Sequence, residues 1–304
     1  MTLMIKFKGQ KRGINPAILR FALFLCVVIC LNCVACYPGY AAFEDSRGDF
    51  DSNLTSTISI GVGTESFDYR EYELGPLIEL RGSLSTVNVS ARFPIGGDLF
   101  VPDYTFGQIG GSLSRGELTY DGQTWGGDPL TMKSRDSVYR FKGCFGSAYN
   151  VDQVLLEAYG GFWIRYWANE LEGDGGYRRK IPQLFWMGGA SLRINASPNL
   201  SIGVGGEGYS LSSGIVKSYL SDVDPRFNDP VVEQDEGYGL KGYIRTWIDF
   251  FGLAFRVNAY GHYLEIEKSD QAALYDNGDK VTEVYEPDNT TTVFGIDLSL
   301  VWGS

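Results

Sequence analysis

The sequence of 304 residues has very little histidine and, beyond its first 36 residues, very little cysteine. His262 is the only histidine, and Cys144 is the only cysteine that follows Cys36. A single cysteine can form neither an internal disulfide nor a cysteine metal cluster. The sequence therefore predicts no metal site and no cofactor, and any catalytic histidine would have to be His262.

Two further absences exclude whole classes of protein. No run of 18 or more apolar residues follows Cys36, so the remaining chain has no helical membrane span. The chain also lacks an excess of positive charge, because its formal net charge is −11. Removing the five basic residues of segment 1–42, which contains no acid, takes this charge to −16. Such a charge disfavours nucleic acid as a partner, because binding to phosphates requires a basic surface.

The first 42 residues have the pattern of a secretory signal. Basic residues precede an apolar core at Phe21–Cys36, and the stretch YPGYAA (37–42) ends in small residues. We therefore expect 1–42 to be a cleaved signal peptide and 43–53 to be a periplasmic N-terminal segment. Two alternatives stay open: the segment could be a retained membrane anchor, or Cys36 could carry a lipid.

The rest of the chain alternates apolar and polar residues at every second position, a pattern typical of β-strands with one apolar face. The stretch 240–263 shows it well. Two long strands there flank the turn DFFG (249–252), and each strand has one apolar face and one charged or aromatic face. Ten such strands are predicted after residue 53, and the last lies within TVFGIDLSLVW (292–302).

The connections between the predicted strands alternate in length. Four are short and rich in turn-forming residues: they are PIGGD (94–98), YNVDQ (149–153), NASPN (195–199) and DFFG (249–252). Five are predicted to be long and polar, near 65–75, 115–136, 168–181, 210–236 and 267–289. This alternation matches the periplasmic turns and extracellular loops of outer-membrane barrels.

The fold class predicted from these features is all-β: a ten-stranded antiparallel transmembrane β-barrel at 54–304, in the cell outer membrane. The even strand number supports this fold. So do the many aromatic residues near the predicted strand ends, which would lie at the membrane interfaces: Tyr166, Trp167, Trp186, Tyr263 and Trp302. An open sheet is excluded, because unpaired edge groups in lipid cost several kcal/mol each. A soluble periplasmic β-protein remains the alternative.

The strand number, the size and the closing segment YEPDNTTTVFGIDLSLVW (285–302) resemble Gram-negative outer-membrane β-barrel proteins of omptin-like size, a porin-like group. The resemblance implies contact with outer-membrane lipid, with lipopolysaccharide and with the barrel-insertion machinery. That machinery reads a terminal aromatic residue in such barrels. Here Trp302 is followed by Gly303 and Ser304, which weakens the signal.

The polar face of each predicted strand would line the lumen of the barrel. The lumen-lining residues predicted in this way are Arg92, Arg140, Lys142, Glu157, Arg165, Arg193, Glu207, Lys241, Arg245, Asp249, Arg256 and His262. A narrow ten-stranded barrel can be filled largely by its own side chains. We therefore predict a rigid network of ion pairs and hydrogen bonds, with a narrow small-solute channel as the alternative.

The resemblance to omptins also raises the question of catalysis, since omptin proteases place paired acids opposite an Asp–His pair at the outer rim. The matching loop here, 216–230, has Asp222, Asp224 and Asp229 but no histidine, and 114–122 shows no clear pair of acids. The protein is therefore predicted not to be an enzyme. Its long acidic loops would serve an envelope structural role or bind an unknown surface ligand. A lipid or peptide hydrolase centred on His262 is a further alternative.

Overall fold

The computed structural model describes residues 56–72, 76–95, 104–123, 128–151 and 153–303. These residues form 13 β-strands and one short 3-10 helix, Leu220–Asp222. No helix within them is long and apolar enough to cross a membrane. The predicted signal peptide, its cleavage, lipidation of Cys36, the 43–53 segment and most of the turn at 94–98 lie outside the described residues.

Ten of the strands form one closed antiparallel wall. In chain order they are β1 (Thr57–Tyr72), β2 (Pro76–Pro94), β3 (Tyr104–Gln123), β4 (Pro129–Val151), β5 (Val154–Glu172), β6 (Arg178–Ser197), β7 (Leu200–Tyr219), β9 (Gly237–Phe250), β10 (Leu253–Ile266) and β13 (Asp288–Gly303). Each pairs with its neighbours around the wall, and β13 returns to β1 to close it. The predicted fold class is confirmed.

Three shorter strands lie outside the wall. β8 (Val231–Gln234) adds to the end of β7, and β11 (Ala272–Asp276) forms a separate hairpin with β12 (Asp279–Val284). All three belong to the connections between β7 and β9 and between β10 and β13. They therefore lie at one end of the barrel, which the long connections identify as the extracellular end.

An apolar band surrounds the other end of the wall. On β13 the outward side chains from Phe294 to Trp302 are apolar, and Ile296 and Leu298 are about half exposed. On β9 the outward side chains from Leu240 to Phe250 include Ile244 and Ile248, which are also exposed. Nine residues of strand, such as 294–302, are enough to cross a bilayer at a tilt. The band is therefore the lipid-facing surface.

The wall continues well beyond this band, which corrects the predicted loops. The segments 65–75, 115–136 and 168–181 are mostly strand, because β1 extends to Tyr72, β3 to Gln123 and β5 to Glu172. Their outward residues are polar because they face water rather than lipid. The alternation of apolar and polar residues therefore disappears from the sequence, which leads to the prediction of a loop. Only two of the five predicted long loops, after β7 and after β10, are long.

These two long connections pack against each other. Phe227 forms a β-bridge with Asp276, the Asn228 side chain donates to the Ala273 carbonyl at 3.1 Å, and the Tyr275 amide donates to Asn228 at 2.7 Å. We call segments 220–236 and 267–287 the acidic lobe. Together they contain twelve Asp and Glu residues and three Lys and Arg residues.

Replacing Leu298 by Arg should destabilise the barrel by about 2–4 kcal/mol, because the new charge would lie at the middle of the lipid-facing band. Thr290→Arg is the matched control, since it changes the same face of the same strand above the band, and we expect an effect within about 0.5 kcal/mol. Urea unfolding in lipid vesicles, read from the gel mobility of unboiled and boiled samples, measures both. Equal effects would contradict the assigned band.

Candidate lumenal site

The extracellular half of the lumen is filled by buried apolar side chains, which we call the apolar layer. Its members come from most of the strands of the wall and from β8, and each is at least nine-tenths buried. They are Phe67, Tyr69, Leu80, Leu84, Leu118, Tyr120, Met132, Val138, Trp167, Leu171, Ile181, Val216, Val232 and Val293.

Trp167, which the sequence predicts at the membrane interface, instead lies fully buried at the centre of the aromatic part of this layer. Its ring centroid is 5.4 Å from that of Phe67 and 4.8 Å from that of Tyr69, in tilted and edge-on arrangements that favour aromatic pairs. Its indole N–H donates to the Asp136 carboxylate at 2.6 Å, so the buried polar atom is satisfied. The layer therefore packs like the core of a soluble domain.

A buried charge cluster, which we call the arginine cluster, joins this layer to the acidic lobe. Arg179 Nη1 lies 2.9 Å from Glu71 and 3.3 Å from Glu286, and the Tyr69 hydroxyl lies 2.9 Å from each carboxylate. Burial, together with the neighbouring Glu71 carboxylate, raises the pKa of Glu286 from 4.5 to about 7. Glu286 therefore ties the lobe to the wall through a proton-sensitive contact.

Below the apolar layer lies a polar cavity of about 170 Å³. Val293 belongs to the layer and also lines this cavity, so the apolar layer forms its roof. Five cationic side chains line it, against the carboxylates of Glu207 and Asp297. The cations are Arg140, Lys142, Lys241, Arg245 and Arg256.

Two of these cations are held in buried ion pairs. Arg140 Nη2 lies 2.8 Å from Glu65, which also accepts from the Tyr260 hydroxyl at 2.9 Å. Lys142 pairs with Glu207, which in addition accepts from the Tyr159 hydroxyl at 2.9 Å. Removing one member of such a pair would leave the other charge buried and uncompensated.

The other three cations make most of their close contacts with neutral groups, although Glu207 lies opposite Lys241 in the pairing of β7 with β9. Arg245 stacks on the Tyr243 ring at 3.8 Å and donates to Asn258 at 3.3 Å, whereas Arg256 donates to the hydroxyls of Ser59 and Ser299. Lys241 lies 4.9 Å from the centroid of the Tyr260 ring. Within the described part of the chain, none of the three has a carboxylate oxygen within 4 Å.

His262 is buried at the upper edge of the cavity. Its ring centroid lies 5.2 Å from that of Trp163 and 5.1 Å from that of Tyr209. Its Nε2 atom is buried and has no hydrogen-bond partner among the described residues. Glu265, a near acid along the chain, instead accepts from the outward-facing Tyr238 and does not orient the imidazole.

Seven of the twelve predicted lumen residues line the cavity: Arg140, Lys142, Glu207, Lys241, Arg245, Arg256 and His262. The other five do not. Arg92 pairs with Glu157 at 2.6 Å, Arg193 stacks on Trp247, Arg165 donates to Gln183 at 2.8 Å, and Asp249 is exposed beside the turn before β10.

Sequence reasoning missed two acids that matter here, Glu65 and Asp297. The sequence pattern predicts a loop at Glu65, but Glu65 points into the barrel on β1, as Ser59 does. Asp297 lies on the inward face of β13 and accepts hydrogen bonds from Asn258 at 2.7 Å and from Ser299 at 3.2 Å. The alternation of inward and outward positions on β1, continued past its apolar segment, predicts that Glu65 points into the lumen.

The acids of the predicted omptin-like loop are engaged in local contacts. Asp222 pairs with Arg178 at 2.8 Å, Asp224 pairs with Arg226 at 2.7 Å, and Asp229 accepts from the Ser221 hydroxyl at 2.7 Å. Because His262 is the only histidine of the sequence and lies inside the barrel, this rim has no imidazole beside its acids.

Comparison with known proteins gives the class of the fold. No protein-family model and no curated protein matches the sequence. Among solved structures, the chain is similar to the outer membrane protease OmpT from Escherichia coli, with a TM-score of 0.52 and 12% identity over 85% of this chain and 100% of OmpT. It is less similar to the translocator domain of the autotransporter NalP from Neisseria meningitidis, with a TM-score of 0.35 and 10% identity over 93% of this chain and 95% of that chain.

The closed wall, its outward apolar band and this likeness together define a Gram-negative outer-membrane β-barrel protein. The family resemblance, the fold class and the outer-membrane location predicted from the sequence are confirmed at this level. Identity this low to solved structures shows the fold alone.

The Glu286 contact should make attachment of the lobe depend on pH. Folding raises the pKa of Glu286 from 4.5 to about 7. The stabilisation that Glu286 gives to attachment of the lobe is therefore fully present below about pH 4.5 and is lost as pH rises through 7. Hydrogen-exchange protection of segment 267–287 should fall by up to about tenfold per pH unit between pH 5 and 7.

Glu286→Gln mimics the protonated carboxyl and should keep this segment protected at pH 8. Glu283→Gln, which neutralises an exposed acid of the same lobe, is the control and should keep the wild-type profile. Protection must be corrected for the intrinsic pH dependence of exchange. A wild-type profile that stays flat from pH 5 to 8 would refute the role of Glu286.

Proposed function

We propose that the protein is a non-conducting, non-enzymatic outer-membrane barrel that acts through its extracellular surface. The observation that carries this proposal is the apolar layer. Fourteen buried apolar side chains fill the extracellular half of the lumen, and the arginine cluster lies against them. A conducting pore needs a continuous polar or wettable path. The apolar layer would interrupt such a path through the lumen.

The acidic lobe supports a role in binding at the surface. Its twelve acids and three bases create a region of negative potential on one side of the barrel mouth. The backbone and side-chain contacts among Phe227, Asn228, Tyr275 and Asp276 give it a defined structure. A cationic surface ligand would be attracted to it. Contacts with lipopolysaccharide and with the insertion machinery remain predictions.

The narrow channel is the second candidate, because a polar cavity lined by five cations occupies the membrane-spanning half of the lumen. It would require the apolar layer to move. The hydrolase centred on His262 is less well supported. The imidazole packs between Trp163 and Tyr209, and its Nε2 atom has no partner among the described residues. A general base normally needs a group that orients it.

Planar-bilayer recordings test the closed lumen. The wild-type protein should show no stable openings, whereas Phe67→Ala combined with Trp167→Ala should add a steady leak by removing the aromatic centre of the layer. Trp186→Ala removes a tryptophan that is 63% exposed on the lipid face and should add none. Stable openings of the wild-type protein would favour the channel instead.

Binding of an oligolysine peptide to the full chain in lipid nanodiscs tests the surface role. Neutralising Glu236, Asp279 and Glu283 to their amides should weaken binding several-fold and flatten its dependence on salt, because exposed charges are screened over about 10 Å at 0.1 M. Neutralising Glu117, Asp121 and Glu172 on other strands is the control for total charge. Equal losses in both variants would contradict a role specific to the lobe.

A further inference from the structure

We propose that the lumenal cavity is a binding site for a small polyvalent oxyanion of phosphate size, held by Lys241, Arg245 and Arg256. The proposal concerns the membrane-spanning half of the lumen, and it stands independently of the acidic lobe. The three residues share the inner face of the hairpin formed by β9 and β10.

The charge balance of the cavity is the first argument. Arg140 is compensated by Glu65, whereas Lys142 shares the Glu207 carboxylate with Lys241, which lies opposite Glu207 in the pairing of β7 with β9. The five cations therefore face three carboxylates, and that of Asp297 already accepts hydrogen bonds from Asn258 and Ser299. Burying a cation without a compensating negative charge is unfavourable. A bound anion would supply the missing negative charge.

Free hydrogen-bonding atoms are the second argument. Two buried side-chain nitrogens that belong to cavity-lining residues have no partner among the described residues: Arg256 Nε and His262 Nε2. His262 is more than nine-tenths buried. Guanidinium groups bind oxyanions through paired, charge-assisted hydrogen bonds, and a neutral imidazole can donate from Nε2. An oxyanion offers acceptors for both atoms.

The size and lining of the cavity decide which anion fits. Small side chains of β2 and β3, among them Ser90, Gly110, Gly111 and Ser112, leave a space of about 170 Å³. A cavity of about 150 Å³ is large enough for benzene, so a phosphate-sized ion fits. Gln108 and Asn258 add polar groups to the lining. An apolar guest would leave these groups and the cations unsatisfied.

Equilibrium dialysis with radiolabelled inorganic phosphate, on the full chain folded in nanodiscs, tests the proposal. We expect saturable binding of one phosphate per chain, competed by sulfate and not by glucose. Arg245→Gln combined with Arg256→Gln should weaken binding at least tenfold. Arg178→Gln removes an exposed arginine outside the cavity and should leave binding unchanged.

Absence of saturable binding to the folded wild-type protein, or equal affinity in the double variant, would overturn the site and leave a hydrated cavity. A second measurement does not depend on folding of that variant. Ser112→Cys, in a chain cleaved after residue 42 and carrying Cys144→Ser to remove its remaining thiol, should react faster with an anionic than with a cationic thiosulfonate. Phosphate should slow the reaction. Equal rates that phosphate does not change would also refute the proposal.

Discussion

The structure depends on one constraint: inside a bilayer, every backbone N–H and C=O group must be bonded within the chain. The pairing of β1 with β13, from Thr57 opposite Gly303 to Tyr72 opposite Asp288, removes the last free edge. Once the wall is closed, its outward face must be apolar where it meets lipid. The polar half of each two-residue period is therefore directed into a narrow lumen, where charges must satisfy one another.

Each long strand passes through lipid over one part of its length and through water over the other. Its apolar side chains point outward in the lipid segment and inward in the water segment. On β1, Ile60 and Val62 point outward into lipid while Ser59 and Glu65 point inward. A few residues further on, the outward side chains are charged and form ion pairs, such as that between Asp68 and Arg70. The inward ones become Phe67 and Tyr69. The membrane-spanning half of the barrel is therefore apolar outside and polar inside, whereas the extracellular half is polar outside and apolar inside, like a soluble barrel.

This exchange of faces explains what could and could not be predicted. The number of strands and the faces of the membrane-spanning segments follow from a local period of two, and they were predicted. The longer strands and the apolar layer were not predicted, because the outward residues of these segments are polar. Leu118 lies within one such segment, and Trp167 lies at the edge of another. The choice of ion-pair partners was also beyond reach, since Arg140 and Glu65 are 75 residues apart. Only closure of the wall brings such groups together.

Charge is distributed unevenly along the barrel axis, and this bears on how a solute could reach the lumen. The acidic lobe at the extracellular mouth has twelve acids against three bases, whereas five cations line the cavity below the apolar layer. A small anion approaching from outside would meet a repulsive potential and then an apolar barrier. An anion bound among Lys241, Arg245 and Arg256 would therefore have to enter from the periplasmic end. The layer that closes the barrel to the exterior also shields these charges from external water, which strengthens their attraction for an anion.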